Sequence, residues 1–146
     1  MGLFFEDFTV GHLTVSRSRT VTEADIVAFA GLSGDFVELH ISEEYAKNGP
    51  FGRRIAHGLL VLSMSSGLMV QSGDVTDTVI AFYGIDRLRF TKPVFIGDTI
   101  HVERRVADTA RKGADRGVVT FDMRVLNQND EPVIVYTQKL MIKARG

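Results

Sequence analysis

The feature that most constrains the fold is an apolar run in the middle of the chain, from Ala56 to Gly67. Only small polar residues interrupt the run, and they form no polar face wide enough for a surface helix. The run therefore predicts a helix of roughly 15 residues, buried on most sides and surrounded by sheet. We expect the small residues Ser63, Ser66 and Gly67 to let strands approach this helix closely.

The composition allows one domain and excludes several classes of function. The chain has 146 residues, 45% of them hydrophobic, so one core over residues 1–146 is expected. The formal net charge of −1 offers no basic surface for nucleic acid or an anionic membrane. No apolar run reaches the ~18 residues of a membrane span, and the N-terminus lacks a signal-peptide pattern. We therefore expect a cytoplasmic protein with neither nucleic acid nor membrane as a partner.

The counts of cysteine and histidine bear on metals and nucleophiles. There is no cysteine, which excludes disulfides, thiolate nucleophiles and thiolate metal ligands. The four histidines, at positions 12, 40, 57 and 101, show no His-x₃-His spacing. We expect no metal site. The Gly-x-Ser-x-Gly pattern of serine hydrolases is also absent.

The segments before the apolar run predict one strand and two short helices. Residues 11–21 alternate enough to suggest a partly exposed strand. Thr22 begins a capping-box pattern, and Gly31 and Gly34 are expected to stop the helix that follows. A second short helix is predicted over 42–47, where Ser42 is the cap, and Asn48-Gly49-Pro50 ends it.

After residue 78 the hydrophobic period changes from helical to two. Four half-buried strands are predicted there, separated by turns at 93–98, 113–117 and 127–132. In the last strand Gln138 lies on the same face as Tyr136 and Leu140. We therefore predict an α+β fold in which a curved antiparallel sheet wraps around one long central helix. Because an uncovered sheet edge is a liability, we also expect at least a homodimer, and a dimer of dimers is the larger alternative.

An acid, a histidine and a glycine turn occur together just before the apolar run. Asp35 and His40 lie in the segment Gly34-Asp35-Phe36-Val37-Glu38-Leu39-His40, and the start of the predicted helix would face them. This arrangement is a candidate active site. The residues alone leave open that Asp35 is only a turn residue and that His40 is only a half-buried packing histidine.

These segments resemble the MaoC-like, (R)-specific enoyl-CoA hydratase family of hot-dog-fold proteins. The resemblance rests on the segments 29–40, 50–60 and 90–100, and it covers roughly residues 5–143. The family pattern usually reads Gly-Asp-x-Asn-Pro-x-His, whereas Val37 and Glu38 stand here in place of Asn and Pro. The acid and the histidine remain, so the departure concerns the acyl pocket. Glu38 either faces solvent or forms a new polar contact with the acyl group.

The resemblance implies reversible hydration of a trans-2-enoyl-CoA to an (R)-3-hydroxyacyl-CoA. Asp35 and His40 would activate water, with Asp35 as the base and His40 serving the proton at C2. The Gly58 N–H at the helix start would stabilise the thioester oxyanion. Ser66 matches a family serine that would hold Asp35 or the water. Gly58 and Ser66 also have plain alternatives, as small residues that packing requires.

Five further residues are expected to bind the substrate. Arg54 can meet coenzyme A phosphates, and His57 either contacts the substrate or orients the loop and caps the helix. The complete set is Phe36, Glu38, Arg54, His57 and Leu59. We expect Phe82 and Tyr83 in the core or in a pocket wall.

No cofactor is expected beyond the coenzyme A of the substrate, because proton transfer needs none. Two other functions fit the same residues. A hot-dog thioesterase would direct water to C1 instead of C3. A non-catalytic acyl-CoA-binding or assembly subunit would bind the thioester without turnover.

Overall fold

The computed structural model describes residues 1–146, and its regular elements follow the predicted order. After a 3-10 turn at Phe5–Asp7 come two short strands, four helices and four long strands. These are β1 (Leu13–Val15), β2 (Arg19–Thr20), α1 (Glu23–Ser33), α2 (Glu38–Ile41), α3 (Glu43–Ala46), α4 (Gly58–Val70), β3 (Val79–Phe90), β4 (Thr99–Arg111), β5 (Arg116–Leu126) and β6 (Pro132–Lys143).

One antiparallel sheet holds the long strands together. Its order is β1-β4-β5-β6-β3, and β2 pairs with β4 beside this path. The four predicted strands after residue 78 are thereby confirmed. The strand expected over 11–21 is instead two short strands, because residues 16–18 leave the ladder between β1 and β2.

Period-two alternation decides which face of the sheet is covered. On β5, Val119, Phe121 and Met123 are buried and belong to the main hydrophobic core. On β6, the side chains on the same face of the sheet are also buried, and they are Ile134, Tyr136, Gln138, Leu140 and Ile142. Helix α4 packs on this face, since the Tyr136 hydroxyl lies 3.2 Å from the hydroxyl of Ser65.

Helix α1 is held by its ends. The hydroxyl of Thr22 accepts from the Asp25 N–H, and the Asp25 carboxylate accepts from the Thr22 N–H, as the capping box predicts. The helix ends at Gly34, whose φ of 77° suits glycine. Gly31 lies inside the helix, so the expectation that it stops the helix is wrong; the αL cap forms only at Gly34.

Helices α2 and α3 follow as single turns. The predicted 42–47 helix is confirmed as α3, where the Ser42 hydroxyl accepts from the Tyr45 N–H. Helix α2 was not predicted from the sequence, because four residues are too few to show a period. It carries His40 near its C-terminal end.

Helix α4 is less covered than its apolar sequence predicts. Its buried side chains face the sheet, and they are Leu60, Val61, Met64, Ser65, Leu68 and Met69. The opposite side is exposed at Leu59, Ser63, Ser66, Gly67 and Val70. The expectation that Ser63, Ser66 and Gly67 admit strands is therefore wrong for this chain, since its own sheet covers only one side of the helix.

Strand β3 forms one edge of the sheet and is exposed along much of its length. Large apolar side chains there are open to solvent, at Val79, Ile80, Phe82, Tyr83 and Phe90. Phe82 and Tyr83 do not lie in the core, because β3 has a neighbour on one side only; of the two expected places, Phe82 takes the other and lines a small cavity beside α4. With α4, strand β3 gives the chain an uncovered apolar surface.

Candidate active site

Asp35 lies in the short connection between α1 and α2, directly after the left-handed Gly34. Its amide N–H donates to the Ser33 hydroxyl at 3.1 Å, and its carboxylate accepts from the Val37 N–H at 3.3 Å. These local hydrogen bonds make Asp35 part of a turn, which is the alternative to catalysis that the sequence left open. The carboxylate is half-buried and forms no ion pair within the chain. The turn therefore fixes the position of the group without neutralising it.

The backbone determines how His40 carries its proton. Nδ1 of His40 lies 2.8 Å from the carbonyl oxygen of Ile55, which can only accept a hydrogen bond. Nδ1 must therefore carry the hydrogen, as hydrogen-bond partners fix imidazole tautomers. Nε2 is left as the atom that gains or loses a proton.

His57 lies immediately before α4 and is almost completely buried, with 2% of its surface exposed. Its Nε2 donates to the backbone carbonyl of Asp35 at 2.9 Å, and its Nδ1 has no partner within the chain. The edge of Phe29 meets the ring with centroids 5.0 Å apart. The structure thus places His57 between the α1–α2 connection and α4, and its role in orienting the loop or binding substrate stays a prediction.

The three side chains form one cluster. Asp35, His40 and His57 each offer a nitrogen or oxygen within 4.8 Å of those of the other two. Groups of these types can hold a metal ion or share a proton between them. The histidine spacing in the sequence could not reveal this, because His40 and His57 are 17 residues apart and only the fold brings them together.

The start of α4 supplies unpaired backbone donors. The Gly58 N–H is the first of the helix and has no acceptor within the chain, as expected at a helix N-terminus. A Cβ at residue 58 would lie 2.7 Å from the ring of Phe90. Close packing by Phe90 thus requires glycine here whether or not a substrate approaches.

An apolar cavity of about 490 Å³ opens beside this helix start. Gly58, Leu59 and Phe90 line it together with residues from the loops before α4 and after β3. Nine of its thirteen lining residues are hydrophobic. Cavities of this kind bind small ligands with apolar parts.

Three other predicted site residues are exposed and make no side-chain hydrogen bond with the cluster. The hydroxyl of Ser66 is exposed and makes no hydrogen bond with Asp35 or His40 in this chain. Phe36 and Glu38 are exposed beside the α1–α2 connection, and Glu38 forms no ion pair. Their roles toward a substrate stay predictions.

Arg54 already has partners within the chain. Its guanidinium pairs with Glu23 of α1 at 2.8 Å and with Glu43 of α3, and it is 11% exposed. Hydrogen bonds to Glu43 and then Glu23 raise the pKa of Arg54 above its ordinary value. Arg54 ties α1 to α3 and thereby braces the segment that holds Asp35 and His40. A contact with coenzyme A stays a prediction.

Two aromatic residues near the site were missed by reasoning from the sequence. Phe29 lies within the helix predicted after Thr22, and Phe90 lies within the first of the four predicted strands. Neither pattern signals that Phe29 would touch His57 or that Phe90 would cover Gly58.

Comparison with known families identifies the protein's class. The family described as "MaoC like domain" matches residues 9–129. The chain belongs to the MaoC-like family. Its relatives include 3-hydroxybutyryl-CoA dehydratase of Methylorubrum extorquens, 39% identical over 73% of this chain and 65% of that protein. The (R)-specific enoyl-CoA hydratase of Aeromonas caviae is 35% identical over 76% of this chain and 78% of that protein.

Some MaoC-like relatives are much longer than this chain. Protein MaoC of Klebsiella aerogenes is 44% identical over 68% of this chain, but the match spans only 29% of its own length. The chain thus spans about a third to two thirds of the first two relatives it matches.

Solved structures confirm the fold. The MaoC-like dehydratase of Rhodospirillum rubrum superposes with a TM-score of 0.90 at 34% identity, covering 99% of each chain. A Mycobacterium tuberculosis protein described as a double hotdog fold superposes with a TM-score of 0.85 at 22% identity, covering 99% of this chain and 45% of that one. The predicted hot-dog architecture is therefore confirmed.

No helix of this MaoC-like chain combines the length and the apolarity that crossing a membrane would need.

Proposed function

We propose that this chain catalyses the reversible hydration of a trans-2-enoyl-CoA to an (R)-3-hydroxyacyl-CoA. The observation that carries the proposal is the cluster of Asp35, His40 and His57, within 4.8 Å, at the free N-terminal end of α4. Related proteins named as hydratases and dehydratases support a hydro-lyase.

The chemistry requires a proton acceptor and a proton donor on one side of a double bond, and a hydrogen-bond donor for the thioester oxygen. The Asp35 carboxylate accepts a proton from water as the water oxygen attacks C3. His40 delivers a proton to C2 from Nε2, since Nδ1 stays bonded to Ile55 in both protonation states. Dehydration is the same path in reverse.

The Gly58 N–H stabilises the negative charge that develops on the thioester oxygen. It is unpaired in the chain and lies at the positive end of the α4 dipole. The cavity of about 490 Å³ beside it receives apolar parts of the substrate. No metal or prosthetic group takes part, because each step is a proton transfer or a charge stabilised by a backbone donor.

The proposed active form contains two copies of the chain. Strand β3 is an edge strand with exposed Ile80, Phe82 and Tyr83, and the open side of α4 carries exposed Leu59 and Val70. A second copy at this surface would pair the sheet edge and cover the apolar side chains. Light scattering coupled to size exclusion tests this, and a monomer at all concentrations would contradict it.

The decisive experiment is to follow the enoyl-thioester absorbance of crotonyl-CoA with the purified protein. Loss of the band, with an (R)-3-hydroxy product by chiral chromatography, is the expected result. Release of free thiol with the double bond intact would replace the proposal with a thioesterase. Binding of crotonyl-CoA with neither change would replace it with a binding subunit.

A further inference from the structure

One polar side chain interrupts the apolar face that β6 turns toward α4. Gln138 lies between Tyr136 and Leu140 on this face, and it pairs across the sheet with Phe121 and Ile85. It is only 6% exposed. A side chain placed here by packing alone would be apolar, as its neighbours are.

The amide of Gln138 has no hydrogen bond within the chain, whereas its polar neighbour is satisfied. The Tyr136 hydroxyl bonds to Ser65 at 3.2 Å, and burial raises the pKa of Tyr136, so that group stays neutral. Among side-chain atoms that are sealed off completely, only those of His57 and Thr78 lack a partner. The unpartnered amide of Gln138 is therefore not sealed off completely, and it borders an open space.

That space is a cavity of about 190 Å³ between α4 and strands β3 and β6. Gln138 lines it together with Leu62, Ser63, Ser66, Phe82, Ile85 and Tyr136. The Ser66 hydroxyl also lacks a partner within the chain, while the Ser63 hydroxyl donates to the Leu59 carbonyl. The cavity thus offers an amide and one free hydroxyl within a mostly apolar wall.

The chemistry of this wall selects its occupant. An apolar group would leave the buried amide without a hydrogen bond, which is unfavourable. A carboxylate would be buried without a counter-ion, because no lysine or arginine lines the cavity. A neutral group that both donates and accepts, such as a hydroxyl or a carboxamide, satisfies the amide without adding charge.

The cavity lies along the path from the helix start. At 1.5 Å per residue, Leu62 is about 6 Å and Ser66 about 12 Å along α4 from Gly58. Leu59, Ser63 and Ser66 lie on one open side of the helix. An acyl chain whose thioester lies at Gly58 can therefore reach Gln138 along this side.

We propose that Gln138 is a specificity-determining residue that binds a hydroxyl or carboxamide near the far end of the acyl group. The inference rests on the proposed hydration of enoyl-CoA. It assigns the substrate class to acyl chains with a neutral hydrogen-bonding tail and disfavours dicarboxylic ones.

The test compares plain trans-2-enoyl-CoA substrates with their terminally hydroxylated analogues, for chains of six, eight and ten carbons. The wild-type protein is expected to favour the hydroxylated form at one chain length by at least about tenfold in kcat/KM. Gln138→Leu is expected to abolish or reverse that preference. Thr137→Val is the matched control, because Thr137 is buried on the opposite face of the same strand.

The outcomes separate this inference from the proposed function. If crotonyl-CoA is hydrated but no chain length gives a preference that Gln138→Leu removes, the inference is wrong and the hydratase stands. If no enoyl-CoA is turned over, calorimetry compares the binding of a saturated acyl-CoA with that of its hydroxylated analogue. Tighter binding of the hydroxylated form that Gln138→Leu removes supports the inference, and equal binding overturns it. If the wild-type protein shows no preference between hydroxylated and plain acyl groups, and Gln138→Leu weakens the dimer, the amide bonds to a second copy of the chain. That outcome would also overturn the inference.

Discussion

The imidazole ring of His57 lies stacked on that of His40, with centroids 3.9 Å apart and planes inclined by 26°. His40 is anchored by the Ile55 carbonyl, and His57 by the Asp35 carbonyl. The stack therefore connects the α1–α2 connection, helix α2 and the start of α4 through two rings. One buried residue holds the positions of both groups that are proposed to move protons.

His57→Phe tests this positioning. Phenylalanine keeps an aromatic ring against His40 but loses the hydrogen bond to the Asp35 carbonyl, at an expected cost of about 1–3 kcal/mol in unfolding free energy. We expect kcat for crotonyl-CoA to fall by at least about tenfold, with KM changed by less than about threefold. A destabilised variant with an unchanged kcat would limit His57 to a structural role.

Asp35→Asn and His40→Gln test the proposed acid–base pair. Both groups are partly exposed, so the fold should tolerate the changes. Each variant is expected to lose about 10²–10⁴ in kcat, the usual contribution of acid–base catalysis. Steady-state rates give the effect, and circular dichroism melts provide the control for folding. Rates within tenfold of the wild type would remove both residues from the mechanism.

Removal of metal ions tests the proposal that proton transfer suffices. Asp35, His40 and His57 are close enough to be potential metal ligands, but the proposed steps use none. We expect full crotonyl-CoA turnover after dialysis against EDTA, with metal content checked by plasma mass spectrometry. A loss of activity that added Zn²⁺ restores would show that the cluster is a catalytic metal site.

The sequence predicted the fold well where a period or a cap carried the information. The Thr22 capping box, the Ser42 cap and the four alternating strands were all read directly from local residue patterns. Local patterns do not show how much of a helix the chain itself covers. Hence the exposure of Ser66 and Gly67 on α4 was mispredicted.

For the site, the sequence indicated the residue types but not their partners. The glycine turn and the resemblance both indicate Asp35 and His40, and the approach of these residues to each other follows from the single turn of α2. The stack on His57 and the pairing of Arg54 with Glu23 depend on contacts between distant segments. No periodicity encodes such contacts.

Gly58→Ala separates packing from catalysis at the helix start. The added methyl group would meet the Phe90 ring at 2.7 Å, and overpacking of this kind costs about 1–3 kcal/mol. We expect a lower melting temperature and lower turnover. In the double variant with Phe90→Leu, which removes the ring, stability should recover. Turnover that recovers with it would show that the glycine is required for packing; turnover that stays low would show that the substrate needs the space.

The acid stability of α1 depends on Asp25. Burial opposes ionisation of its carboxyl, but hydrogen bonds from Thr22 and the charge of Arg19 outweigh burial and lower the pKa below the ordinary 3.8. The unfolded chain therefore binds this proton more readily. The stabilisation is complete above the ordinary pKa and is lost as the pH falls through the lower pKa of the folded state.

Asp25→Asn is expected to reduce the unfolding free energy at pH 7 by about 1 kcal/mol, through the weakened cap and the lost Arg19 pair. The difference in unfolding free energy between the wild type and the variant should become smaller as the pH is lowered from 5 to 2.5, because the wild-type carboxyl becomes protonated. Urea unfolding at each pH measures this difference. Glu44→Gln is the control, since Glu44 is an exposed acid in the first turn of α3 and lies outside α1. A difference that stays constant over this range would mean that the Asp25 charge does not stabilise α1.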